Sequence, residues 1–97
     1  MIKKKIISVI GTAKGKNRAK KAMKTAIIKA RKLVNLSRID RITFKITGDK
    51  ALTLYQVNNA AESLFKQIND NAKINISAFI DPKYKNYAEV NMLVKAK

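Results

Sequence analysis

"RITFKITGDKALTLYQVNNAAESLF", residues 41–65, holds a strand, a turn and a helix start in quick succession. Apolar and polar side chains alternate from Arg41 to Thr47, which is the period-two pattern of a strand with one buried face. A Gly-Asp pair then favours a turn. Thr53 and Gln56 follow at N-cap and N3 spacing, where each side chain can accept a hydrogen bond from the other's backbone N–H group. The stretch therefore predicts a strand, a turn and a helix that begins with a capping box.

Two helices are predicted from apolar residues that recur at helical spacing. The second helix starts at the capping box, with an apolar face formed by Leu54, Val57, Ala60, Ala61, Leu64, Phe65 and Ile68. The first helix starts at Asn17, a suitable cap residue. Its apolar face is formed by Ala19, Ala22, Met23, Ala26, Ile27, Ala30, Leu33 and Val34. Half of these side chains are alanines, so we expect this helix to lie close against a sheet.

Three further strands complete the predicted order. They are Lys5 to Ile10, followed by a loop from Gly11 to Lys16, and then Lys73 to Ile80 and Ala88 to Lys95. The order strand-helix-strand-helix-strand-strand predicts a two-layer α/β (α+β) sandwich, in which two helices cover one face of a four-stranded mixed sheet. Because a short loop joins the last two strands, we expect them to pair as an antiparallel hairpin.

Composition limits the possible functions. The 97 residues fit a single domain, residues 1–97, with no cysteine and no histidine. Disulfides, thiolate metal sites and histidine chemistry are therefore excluded. The segment GTAKG, residues 11–15, is one residue short of a phosphate-binding loop and is better interpreted as a turn. The six carboxylates are scattered. We predict no catalytic residue, no cofactor, no metal and no enzyme activity, and the absence of a long apolar run predicts a cytoplasmic location without a membrane span.

The net charge of +16 is concentrated in the first half of the chain. Residues 1–50 carry 16 basic and 2 acidic side chains, whereas residues 51–97 carry 6 and 4. The positive electrostatic field of these side chains attracts polyanions without sequence specificity. The alternative is that the lysines form a solvated surface and reflect genomic composition.

Several motifs resemble the C-terminal domain of FtsZ, the tubulin-like cell-division GTPase. IGTAKGKNRAKKAMKTAI, residues 10–27, is similar to that family's Gly-x-Ala-x-Gly-x-Asn-Arg-Ala stretch. ITGDKALTLYQVNNAAESL, residues 46–64, is similar to its Ile-Thr-Gly-Gly and Leu-Thr-Leu-x-Glu-Val segments, and residues 72–82 match its Ala-Asn and Ile-Asp-Pro positions. The resemblance extends from about Ser8 to Ala96 and implies the same domain topology. Gln56 replaces the usual Glu, and Asp49 replaces a frequent Gly.

The resemblance also implies what the chain lacks. The family's Gly-rich nucleotide loop, its long central helix and its acidic synergy loop have no counterpart in residues 1–97. We therefore expect the chain neither to bind nor to hydrolyse GTP alone.

One face of the predicted sheet is unusually polar for such a domain. The family packs this face on the central helix, and sheets covered on both faces are apolar on both. Here the positions that point away from the helices are polar: Ser8, Thr43, Lys45, Asn75, Ser77, Asn91 and Lys95. Only Phe79 and Leu93 break the pattern. We expect a solvated face and a free-standing domain adapted to lack the central helix.

Two functions of different classes are compatible with these features. The first is a non-enzymatic interaction module that docks on an FtsZ-like GTPase domain or filament, as a monomer or weak dimer, through Leu52, Thr53, Tyr55, Gln56, Asp81, Lys83 and Tyr84. The second is nonspecific polyanion binding through Lys14, Lys16, Arg18, Lys20, Lys21, Lys24, Arg31 and Lys32. An excised or engineered scaffold without activity of its own is the third possibility.

Overall fold

The structure, a computed structural model, describes residues 5–96; Met1 to Lys4 and Lys97 of the predicted domain lie outside this range. Its four strands and two α-helices follow the predicted order. They are β1 (Lys5–Lys14), α1 (Arg18–Leu33), β2 (Ile39–Gly48), α2 (Leu54–Phe65), β3 (Lys73–Ile80) and β4 (Tyr87–Ala96), with one 3-10 turn at Leu36–Arg38. Within residues 5–96, no helix is long and apolar enough to cross a bilayer.

The strands are ordered β1-β4-β2-β3 across the sheet. β4 is antiparallel to both β1 and β2, and β3 is parallel to β2 alone. The expected hairpin of β3 and β4 is therefore wrong. β4 occupies the middle because its alternate residues are all apolar and buried, whereas β3 is exposed along most of its length. The loop between the two strands only has to cross the end of β2.

The first strand is longer than predicted, since Gly11–Lys14 continue the pairing with β4 instead of forming a loop. Gly11 allows α1 to approach closely. A Cβ at this position would lie 2.1 Å from the Ala22 carbonyl oxygen and 2.6 Å from the Ala26 nitrogen. The expected close packing of α1 on the sheet is confirmed, and it depends on a glycine in the strand as well as on alanines in the helix.

The core lies between the helices and one face of the sheet. Phe44, Met23, Ile27 and Met92 are among its largest fully buried side chains. Three residues assigned to the helix apolar faces are instead exposed, because they lie at the first or last turn beyond the cover of the neighbouring elements: Leu33, Leu54 and Phe65.

The helix starts differ in how they are capped. Thr53 and Gln56 form the predicted capping box, with the Gln56 N–H donating to Thr53 Oγ1 at 3.2 Å and the Thr53 N–H donating to Gln56 Oε1 at 3.3 Å. Asn17 occupies the N-cap of α1, but it has a left-handed backbone (φ 59°) and its side chain makes no capping bond. The predicted capping box of α2 is confirmed. For α1, the predicted N-cap residue is correct, but its side chain does not cap the helix.

At the start of β2, the Asn69 side chain takes the place of a partner strand on the β3 side. Ile39 precedes the first residue that pairs with β3, so its backbone groups at that edge lack a strand partner. The Ile39 N–H donates to Asn69 Oδ1 at 2.8 Å, and Asn69 Nδ2 donates to the Ile39 carbonyl at 3.0 Å. Asn69 thereby fixes the segment after α2 to the sheet.

The sheet face opposite the helices carries the expected polar side chains. The strand registers place Thr43 between Leu93 and Asn75, and Lys45 between Asn91 and Ser77. Lys45 Nζ also lies 5.3 Å from the centre of the Phe79 ring. Two further apolar residues, Ile6 and Ile10, are exposed on this face beside β4. We call this surface, formed by the outward side chains of all four strands, the open face.

Candidate functional site

Three loops meet at the end of the sheet where β2 ends, and the carboxylate of Asp49 joins them. Asp49 Oδ1 accepts from Arg18 Nη2 at 2.7 Å and from the Ala51 N–H at 3.0 Å. Its Oδ2 accepts from the Asn86 N–H at 2.9 Å. The Asn86 carbonyl in turn accepts from the Gly15 N–H at 3.1 Å. The turns before α1, before α2 and before β4 are thus tied to one side chain.

The hydrogen bonds received by Asp49 change its acidity. The N–H group of Asn86, the guanidinium of Arg18 and the N–H group of Ala51 lower the pKa of Asp49 from 3.8 to about 2, against a smaller opposing effect of burial. Asp49 is therefore ionised at all physiological pH values. The sequence predicted only a turn here, because nothing in its pattern reveals that three distant loops converge on this carboxylate.

The candidate filament-contact residues cluster at this loop end but are not equally accessible. Thr53, Tyr55 and Lys83 are exposed, whereas Leu52, Gln56, Asp81 and Tyr84 are half-buried. Leu52 packs against the core, and the Leu52 side chain lies in the space next to Gly48. Gln56 is engaged in the capping box. Leu52 and Gln56 therefore hold the surface in place and contribute little to its exposed area.

Asp81 and Tyr84 shape the loop before β4. The Asp81 N–H donates to the Gly48 carbonyl at 2.8 Å, and Asp81 Oδ1 accepts from the Lys83 N–H at 3.0 Å. Tyr84 Oη donates to Glu89 Oε2 at 3.4 Å, and partial burial together with the Glu89 charge raises the pKa of Tyr84. The loop is therefore bonded both to the end of β2 and to β4.

A groove of about 390 Å³ connects the two parts of the candidate filament contact, and its lining residues are Asp49, Lys50, Ala51, Pro82 and Lys85. A few residues after Ala51, the first turn of α2 exposes two large apolar side chains, Leu54 at 76% and Tyr55 at 74%. The sequence identified Tyr55 but assigned Leu54 to the core. Its place directly after the N-cap was the available signal, since the first helical residue often lies outside the buried stripe.

The candidate polyanion-contact residues divide into two groups. Arg18 is half-buried and bonded to Asp49 and to the Gly15 carbonyl, so it anchors the loops and is not a free cation. The other seven are exposed: Lys14, Lys16, Lys20, Lys21, Lys24, Arg31 and Lys32. Five of these lie on α1, which contains no acidic residue. Arg31 reaches the turn after α2, where its Nη1 donates to Gln67 Oε1 at 3.5 Å.

The described part of the chain contains no cluster of metal-ligating side chains. Across residues 5–96, no three carboxylates come together in a way that could hold a metal ion. The geometry offers a rigid loop surface and a basic helix, which are features of binding.

Solved structures with the same fold identify the class of domain. FtsZ from M. jannaschii, in a structure described as an empty dimer, has a TM-score of 0.85 and 22% identity over 94% of this chain. CetZ from Methanosaeta thermophila has a TM-score of 0.62 and 16% identity over 92%. CetZ2 from Haloferax volcanii has a TM-score of 0.54 and 14% identity over 91%. This chain covers only 26%, 27% and 28% of those three, respectively.

The fold is therefore shared with about a quarter of each of these FtsZ and CetZ chains. A sequence model of the FtsZ family's C-terminal domain matches residues 5–96. The chain belongs to the FtsZ family, a family of tubulin-like filament proteins, and represents its C-terminal domain.

Proposed function

We propose that this domain is a non-enzymatic interaction module of an FtsZ-like filament in the cytoplasm, and that it neither binds nor hydrolyses GTP alone. The observation that carries the proposal is the exposure of Leu54 and Tyr55 at the start of α2, which follows the loop held by Asp49. Exposed aromatic and aliphatic side chains on a rigid support are typical anchors of protein interfaces. A relative, CetZ2 from Haloferax volcanii, was solved as a GTPγS-bound protofilament, which supports a filament partner.

The rigidity of this surface favours docking without rearrangement. Asp49 ties three loops, and the capping box fixes the first turn of α2. Little conformational entropy is then lost when a partner covers Tyr55 and Lys83.

Co-sedimentation with polymerising FtsZ and GTP tests this proposal, with polymer mass and hydrolysis rate as readouts. We expect the domain to change polymer mass, and Leu54→Ser/Tyr55→Ser to abolish the change. Ile28→Ser is the matched control, because Ile28 is an exposed apolar residue on the other helix. An effect that persists in the double variant, or no effect of the wild-type domain, contradicts the proposed interface.

A second candidate function is nonspecific polyanion binding through α1, favoured by the seven exposed basic side chains at and before this helix. Binding to single-stranded DNA should weaken steeply with salt. Lys20→Glu/Lys21→Glu/Lys24→Glu should abolish it, and the same variant should retain the effect on FtsZ polymers if the first function is correct. If the wild-type domain shows no binding at low salt, the polyanion function is excluded. A domain inactive in both assays is a scaffold without activity of its own.

A further inference from the structure

The two edges of the sheet are protected to different degrees. At the β1 edge, Lys29 Nζ donates to the Ile10 carbonyl at 2.7 Å, so a charged side chain covers the strand. β3 forms the other edge and pairs with β2 only, in a regular register without a bulge. Every residue from Asn75 to Ile80 is exposed. Lysines, prolines and bulges usually prevent such an edge from pairing with another strand, and residues 74–80 contain none of them.

The backbone groups that face this edge can be assigned. The Asp81 N–H donates to the Gly48 carbonyl, so odd-numbered residues here direct their N–H and C=O groups towards β2. Because direction alternates along a strand, the groups of Ile74, Ile76, Ala78 and Ile80 point to the free edge. β3 thus offers four outward N–H groups and four outward carbonyls.

Apolar side chains accompany these backbone groups. The same four residues lie on the helix side of the sheet, and Ile76 and Ile80 are 43% and 52% exposed. On α2, Leu54 and Phe65 are eleven positions apart and therefore share one flank. α1 contacts the opposite flank, where Gln56 and Asn59 line the cleft between the helices. The exposed flank of α2 consequently lies on the β3 side of the molecule.

The segment from α2 to β3 carries no net charge, although the chain carries +16 and Lys45 of the neighbouring strand lies over Phe79. Residues 54–80 contain Glu62, Lys66, Asp70 and Lys73, whose charges cancel. Seven of the 22 basic side chains lie on α1, which packs at the β1 end of the sheet. Two copies can therefore approach through β3 while their basic α1 helices remain at opposite ends.

We propose that β3 pairs antiparallel with β3 of a second copy, which joins two sheets into one of eight strands. The register that pairs all outward groups places Ile74 opposite Ile80 and Ile76 opposite Ala78, with the two-fold axis at Ser77. The same register places Lys73 opposite Asp81 of the second copy, on both sides of the axis. This self-complementary arrangement of hydrogen bonds, apolar side chains and opposite charges is what a two-fold interface requires. The proposal does not require the filament function, although Asp81 also belongs to the candidate filament contact.

Cysteine cross-linking tests the register, because the chain has no cysteine of its own. Two Ser77 side chains would face each other at about 4.5–5.5 Å between Cβ atoms, close enough for a disulfide after small adjustment. Two Asn75 side chains would be separated by about 13 Å, since each lies opposite Phe79 of the other copy. We expect Ser77→Cys to form disulfide-linked dimers under mild oxidation and Asn75→Cys to remain monomeric. Equal cross-linking of both variants, or none of Ser77→Cys, overturns the proposal.

Analytical ultracentrifugation over a concentration series tests the association itself. Ala78→Pro removes an outward N–H from each copy without removing a bond to β2, so the fold should be retained. We expect dimerisation to weaken about tenfold or more, because two interface hydrogen bonds are lost. An unchanged circular dichroism spectrum verifies folding. A wild-type chain that sediments as a monomer even at millimolar concentration overturns the proposal, and the edge would then be free for a different strand.

Charge exchange provides a third measurement with a built-in control. Lys73→Glu or Asp81→Lys alone places like charges opposite each other and should weaken the dimer, whereas the double exchange should restore it. Failure of the double variant to recover any association, with both single variants weakened, contradicts the assigned register.

Discussion

The two faces of the sheet are made by the same four strands but differ in what they contribute. On the helix side, alternate residues of β4 and β2 are fully buried and close-packed, as Phe44 and Met92 illustrate. On the open face, the neighbouring residues of the same strands, Lys45 and Leu93, are exposed. Stability therefore resides in one face, and the other face is free to vary. The following substitutions measure this difference, from the largest expected effect to the smallest.

Truncation of one phenylalanine on each face should give the largest difference in the free energy of unfolding. Phe44 is completely buried on the helix side, whereas Phe79 is 53% exposed on the open face. We expect Phe44→Ala to reduce the free energy of unfolding by about 3–5 kcal/mol, because it leaves a cavity. Phe79→Ala should cost less than about 1 kcal/mol, mainly through the lost contact with Lys45. Urea denaturation measures both values, and similar costs would show that the open face is covered.

Addition of a methyl group at Gly11 tests how closely α1 is packed. The new Cβ would contact backbone atoms of Ala22 and Ala26, which cannot move without the whole helix. We expect Gly11→Ala to destabilise the domain by about 1–3 kcal/mol or more. Thr12→Ala, on the open face of the same strand, should change stability by less than about 0.5 kcal/mol. Thermal melts of the two variants provide the comparison, and a neutral Gly11→Ala would refute the close approach.

The ionised Asp49 carboxylate at the loop end should make the stability of the domain depend on pH. The pKa of Asp49 is about 2 in the folded state and 3.8 ordinarily, so its ionised form stabilises the fold above about pH 4. This contribution should be lost as the pH falls through 2. Asp49→Asn should be less stable than the wild type at neutral pH, and the difference should shrink in acid. Denaturation at pH 7, 4 and 2 tests this, and a constant difference would contradict the assigned role.

The smallest effect is expected for Leu93 on the open face. Leu93→Ser should alter the free energy of unfolding by less than about 0.5 kcal/mol, because the side chain is half-exposed with polar neighbours. Met92→Ser, one residue away on the buried face, should be severely destabilising. A large effect of Leu93→Ser would mean that the open face has a partner in solution.

Local sequence patterns predict the individual helices and strands well. They predict the order of the strands in the sheet less well. The alternation in β2 and the capping box of α2 are contained in a few consecutive residues, and both are confirmed. The central position of β4 was not predictable from its own sequence, because a short loop is equally compatible with a hairpin or with crossing one strand. The apolar positions of β4 at every second residue were the only hint of its burial.

The filament contact stays a prediction, and the hydrogen bonds that hold the loops together could not be predicted from the sequence. Tyr55 and Lys83 are predicted from the family resemblance, and in the structure the loops before α2 and before β4 line one groove. The roles of Asp49 and Arg18 required knowledge of how the loops before α1, α2 and β4 converge. Arg18 was grouped with the free cations because sequence shows charge without showing partners.

The middle position of β4 also determines when the sheet can form during translation. β1 and β2 are both neighbours of β4 and not of each other, so neither has its central partner until the ribosome has released residues 87–96. A nascent chain that ends before Tyr87 can pair β2 with β3, but β1 has no partner and the β4 side of β2 stays open. Such non-local pairing slows folding and prolongs the exposure of aggregation-prone segments. The high density of lysine in the first half of the chain keeps these early segments mutually repulsive during that interval.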